Sequence, residues 1–195
     1  MVGDKVLTPE ALARGTDRYK EYRGQIADGD VLCFSGRHWL SNWIRRLTHG
    51  RYSHGGLAFW WDDRLMVLQA EAGPGVQSLP ASRAIAKYSG TVDWYPLAPE
   101  HRTDVFVKTL TEVAMSRLGD PYSLLDLVRI GLHYAIGTRL PKETRTQHTF
   151  VCSQYVAHCY REAGLDLAPS RPDIGTTPED LSRSPFLGKA VRLKH

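Results

Sequence analysis

The chain alternates between two hydrophobic periods, and the switches mark its elements. Residues 8–25 are polar with helical spacing, and Thr8 with Pro9 supplies a start signal. Gly29-Asp30 leads into Val31-Leu32-Cys33-Phe34, a continuous apolar run expected as a buried strand. Trp39, Trp43, Ile44 and Leu47 then recur at helical spacing, which predicts a short helix over residues 37–48 with the two tryptophans in the core. Residues 52–61 and 65–71 are strand-like, and Asp62-Asp63 separates them as a hairpin turn. Residues 76–79 read as extended, 80–87 as a helical turn and 91–97 as a strand. Phe106, Val107, Leu110, Val113, Ala114 and Leu118 form the stripe of a longer helix that closes near Gly119. A second apolar helix is expected over 122–135, a polar basic loop over 138–148, and a helix over 149–163 stopped by Gly164. Thr177-Pro178-Glu179-Asp180-Leu181 has the form of a capped turn, and a last strand is expected over 190–193. The absence of internal repeats or of a linker long enough to split the chain predicts one domain over 1–195, with 1–28 as a helical extension.

Composition adds exclusions. The 195 residues are 42% hydrophobic and 24% charged, an ordinary globular balance. The formal charge of +4 comes without a long basic run, so no nucleic-acid partner is expected. No stretch of 18 apolar residues occurs and the start lacks a signal-peptide core, so neither a transmembrane segment nor general export is expected. The expected location is cytoplasmic, with release by lysis or a dedicated secretion machine compatible with that reading. Three cysteines, an odd count, argue against a disulfide framework. Cys33 lies in the apolar strand and is expected to be a buried small hydrophobe. His148, Cys152, His158 and Cys159 match no zinc spacing, and no phosphate-binding glycine loop is present, so no metal and no cofactor are expected.

Candidate chemistry centres on Cys152. If Thr149 caps the helix, Cys152 falls in the first turn, where free N–H groups and the helix dipole favour thiolate. The same N–H groups can donate to an oxyanion during acyl transfer. A thiolate nucleophile needs a base. Of eight histidines, His54 has the most informative setting: it begins a strand, between Ser53 and Gly55-Gly56, where glycines admit close approach. With a two-residue loop at Asp62-Asp63, Trp61 pairs with Arg64, and the register then carries His54 opposite Glu71. Gln69 lies two residues away on the same face and is the alternative third residue. Ser153, Gly55 and Tyr52 complete the expected oxyanion and substrate-binding set.

In this order the pieces resemble the circularly permuted NlpC/P60, or YiiX-like, branch of the papain-like superfamily. Gly29-Asp30-Val31-Leu32 resembles its opening strand. Tyr52-Ser53-His54-Gly55-Gly56-Leu57 resembles its histidine strand, and Glu71-Ala72 with Gly75-Val76 a following segment. Phe150-Val151-Cys152-Ser153-Gln154-Tyr155-Val156 resembles its cysteine helix, with Gln154 where the family often has glutamate; residues 177–181 resemble a C-terminal element. Histidine precedes cysteine, as in the permuted branch. The resemblance implies an α+β, permuted papain-like fold, a small antiparallel sheet packed against helices. It implies a thiol amidase or protease acting through a thioester on a peptide, a peptidoglycan fragment or a lipid acyl substrate. Two other readings stand beside it. One is a lipid acyltransferase or lipid hydrolase on the same triad, with Trp39, Trp43, Trp60 and Trp61 lining a groove. The other is a non-catalytic phage or secretion-system binding module.

Overall fold

A computed structural model describes residues 16–137 and 149–195. The strands are β1 (Val31–Gly36), β2 (His54–Trp61), β3 (Arg64–Glu71), β4 (Gly75–Pro80), β5 (Gly90–Tyr95) and β6 (Val191–Lys194). They form one antiparallel sheet in the order β4-β3-β2-β1-β5-β6. The helices are α1 (Asp17–Tyr22), α2 (Trp39–Leu47), α3 (Ala81–Lys87), α4 (Asp104–Ser116), α5 (Leu124–Ile136), α6 (Cys152–Glu162) and α7 (Pro178–Ser182). The α+β class that the resemblance implies is the observed one. Thr8 and Pro9, the expected start of the first helix, lie outside the described residues.

Period-two alternation divides β1 between two cores. Val31 and Cys33 face a cluster with Leu57, Phe59, Leu68 and the α6 residues Tyr155, Val156 and Cys159. Leu32 and Phe34 face the opposite cluster, with Ala58, Val67, Ile85 and Trp94. Cys33 is fully buried, as expected of a small hydrophobe.

Asp30 explains the Gly29-Asp30 opening without catalysis. Its buried carboxylate accepts from the Ala27 and Leu97 N–H groups at 2.8 and 2.9 Å and from Trp94 Nε1 at 2.7 Å. Arg102 completes the set as an ion pair. One carboxylate thus ties β1 to the loop before it, to β5 and to the segment entering α4.

The β2–β3 hairpin has the expected two-residue loop: Trp61 pairs with Arg64, and Asp62 takes φ +52, a left-handed conformation that aspartate tolerates. The ladder runs back only to Leu57–Leu68. Beyond it β2 and β3 no longer pair with each other; His54 pairs across the other edge of β2 with Phe34 on β1, and Glu71 across the other edge of β3 with Gly75 on β4. The expectation that His54 sits directly opposite Glu71 is therefore corrected.

Two further expectations change. Trp39 is 70% exposed and Trp43 is 39% exposed, so the helical period of α2 is real but its tryptophans are not core. Trp60 and Trp61 lie at the far end of β2, where Trp60 Nε1 donates to the Ile26 carbonyl at 2.7 Å. The four tryptophans do not line one groove.

Candidate active site

The cysteine helix begins at Cys152, one residue after its N-cap, Val151. The expected cap, Thr149, lies outside the helix. Valine has no side-chain acceptor, and Gln154 supplies the missing half from within: its Oε1 accepts the Val151 N–H at 2.9 Å. Its Nε2 donates to the Ile174 carbonyl at 2.8 Å. A glutamate could accept at this position but could not make the second bond. Gln154 is thus a structural tie between α6 and the loop before α7.

His54 is the first residue of β2, its ring 5.2 Å from that of Phe34. Its Nε2 lies 2.8 Å from Gln69 Oε1. Gln69 Nε2 donates to Glu71 Oε1 at 2.9 Å, and Gln77 Nε2 donates to Glu71 Oε2 at 2.6 Å. A carboxylate only accepts, so Glu71 orients the Gln69 amide with its oxygen toward His54. The His54 Nε2 must then carry a proton. This leaves Nδ1 as the ring nitrogen able to serve the sulfur. Gln69, the alternative third residue, is the direct neighbour; Glu71 stands one step behind. The glycines make this contact possible, because a Cβ at Gly56 would stand 2.7 Å from Val67 and 3.3 Å from the Gln69 Cβ.

Electrostatics couple the two ends of the chain. Burial is the largest influence on His54 and disfavours its charge. The Cys152 thiolate, its hydrogen bond, the Gln69 bond and the Glu71 charge outweigh burial and raise His54 to about 9. Burial likewise opposes ionisation of Cys152. The His54 charge and hydrogen bond, with the Gly55 and Ser153 backbone N–H groups, outweigh it and lower the thiol below its ordinary value. The other cysteines move oppositely, since burial pushes both Cys33 and Cys159 up.

Gly55 and Ser153, expected near the oxyanion, thus both present backbone N–H groups to the sulfur. The Ser153 hydroxyl is engaged elsewhere, donating to the Thr176 carbonyl at 2.7 Å. Tyr52 is a correction. Its hydroxyl is held by Asp93 Oδ2 at 2.5 Å and Tyr95 at 2.8 Å, in a buried network that Arg51 and Arg192 complete. It is a joint between sheet and core. The tyrosines near the sulfur, missed in the sequence, are Tyr88 and Tyr122. Burial is the main cause raising each, and the Cys152 charge adds to it.

Apolar side chains wall the sulfur: Cys152 clusters with Val151, Leu127 and Ile130, and Ile44 and Tyr122 pack against them. On the other side of the dyad is a cleft of about 390 Å³ lined by Phe34, Gln69, Glu71, Gln77, Arg83, Lys87 and Tyr88, among others. It meets the dyad through Phe34 and Gln69.

By sequence, no family model and no curated protein matches the chain. By structure, the chain is similar to the metalloprotein YiiX from Escherichia coli O157:H7, with a TM-score of 0.65 and 19% identity, covering 86% of this chain and 97% of that one. The likeness shows a shared fold. As to a metal, no group of three or more His, Cys, Asp or Glu suited to one occurs among the described residues, and His54 Nε2 is already engaged by Gln69. The residues at this site do not fit a metal centre. His148, weighed earlier with Cys152, lies outside the described residues.

Proposed function

We propose that the chain is a papain-like cysteine hydrolase of the permuted NlpC/P60 kind, cleaving an amide or ester through a thioester. One observation carries this reading: His54 stands between Cys152 and Gln69, with its charge and that of the sulfur each favouring the other. In this reading the Cys152 thiolate attacks the carbonyl carbon, forming the C–S bond. Backbone N–H groups at the start of α6 and at Gly55 favour the oxyanion. His54 Nδ1 gives its proton to the departing amine or alcohol as the C–N or C–O bond breaks. Water then attacks the thioester carbon, with His54 taking a proton; the C–S bond breaks, the Cys152 thiolate is restored and the acid leaves. Gln69 holds the imidazole and Glu71 holds Gln69.

A lipid acyl substrate is a second reading, favoured by the apolar wall of Ile44, Leu127 and Ile130 beside the sulfur. One experiment addresses both. The protein is incubated with mixed cell-wall peptides and phospholipids, and intact mass reports any thioester. An acyl adduct on Cys152 that is lost in Cys152→Ala supports the proposal, and its mass identifies the acyl group. Turnover undiminished in Cys152→Ala overturns it.

A further inference from the structure

The helices that wall the sulfur carry a second apolar face with no protein against it among the described residues. Leu127 and Ile130 of α5 point into the cluster around Cys152. Leu125, Val128, Leu132 and Ile136 follow helical spacing on the same helix and are 59%, 52%, 46% and 72% exposed. Packed beside it, α2 exposes Trp39 and Trp43. Scattered exposed apolar residues are ordinary, but six large ones on two adjoining helices are not.

The exposed, unpaired charge on the segments that carry this face has one sign among the described residues. Between Val31 and Trp61 the sequence has four arginines, at 37, 45, 46 and 51, and no carboxylate. Arg45 turns inward to Ser35 and Asn42, and Arg51, though exposed, pairs with Asp93. Arg37 and Arg46 are exposed and form no ion pair among the described residues. On α5 the one carboxylate, Asp126, is buried and pairs with Arg129. Large apolar side chains, tryptophan among them, flanked by unpaired arginines suit the boundary of an anionic bilayer. A protein partner of ordinary composition would not call for the bias to one charge. Neither helix is long enough to cross a membrane, so the contact is one of lying on the surface.

We propose that the outward faces of α2 and α5 dock onto an anionic lipid surface. Docking does not depend on the proposed catalysis, and it is measured on Cys152→Ser as well as on the unaltered chain. Vesicles of equal phosphatidylglycerol and phosphatidylcholine should co-sediment the protein, and pure phosphatidylcholine vesicles should bind it at least about tenfold more weakly, with the difference shrinking in high salt. Val128→Glu with Leu132→Glu should reduce binding by about a hundredfold, because two exposed apolar anchors are lost and charge is added. Arg37→Glu or Arg46→Glu should each reduce it by about fivefold or more. Val105→Glu, on the exposed face of α4, should leave it unchanged. Circular dichroism checks that each variant folds.

Three results would overturn the proposal. Binding could be absent, or equal with and without the two glutamates. The chain could form a dimer in sedimentation equilibrium that Val128→Glu with Leu132→Glu dissolves, which assigns the face to a second copy. Amide hydrogen exchange on the full chain could show no added protection in α2 and α5 on mixing with the anionic vesicles, which removes these helices from the contact.

Discussion

Gln69 places its amide oxygen 2.8 Å from His54 Nε2 because Glu71 holds its amide nitrogen from behind. The pair is a relay in which the charged member never touches the imidazole. Removing the charge should therefore act through orientation and field. Gln69→Ala should lower kcat/KM by about 10- to 100-fold, in the range of lost orienting groups. Glu71→Gln should cost less and should also move the alkaline limb of the pH–rate profile downward, because the Glu71 charge is one cause of the raised His54 value. A loss of fold alone would not shift that limb.

The coupled shifts set a pH window. Iodoacetamide should label Cys152 before Cys33 or Cys159, and labelling should be well advanced below pH 9.0, the ordinary thiol midpoint. His54→Ala removes the cation while burial remains, so the midpoint should rise above that of a free thiol. Turnover should fall as pH rises through about 9, where His54 loses the proton it gives the leaving group. Peptide mapping of the label against pH checks the first two, and a substrate titration the third.

Arg83 and Lys87 stand on the wall of the cleft beside Gln69, exposed and without an ion pair among the described residues. Substrates with an anionic group should exploit them. Arg83→Glu with Lys87→Glu should raise KM for an anionic acyl substrate by about tenfold, equivalent to about 1.4 kcal/mol, with little change in kcat. Neutral substrates should be unaffected, and steady-state comparison of the two substrate types measures it.

Asp30 is a stability residue in this structure. Asp30→Ala leaves buried Trp94 Nε1, two backbone N–H groups and the Arg102 charge without their acceptor. The expected loss is about 3–5 kcal/mol, typical of breaking a buried pair on one side. Urea unfolding measures it. In the folded fraction at low temperature, labelling of Cys152 should persist, because Asp30 makes no contact with the dyad.

What the sequence by itself determined follows from local periodicity. Alternation with period two specifies β1 to β3 and sorts Val31 and Cys33 from Leu32 and Phe34. A two-residue loop specifies the Trp61–Arg64 pair, since strand register is set by the turn. Cysteine at the start of a late helix and histidine at the start of an early strand were both legible, as was the candidate carboxylate–amide pair on β3. Only the tertiary structure shows which of Gln69 and Glu71 touches His54. Both lie on one face of β3, and the contact rests on the β2–β3 ladder ending at Leu57–Leu68, a limit that no local pattern encodes. Tyr52 joined Asp93, Gln154 capped α6, and Trp39 stayed in solvent for the same reason. Period says which side of an element a residue occupies, while the groups that meet it there come from distant parts of the chain and are fixed by packing.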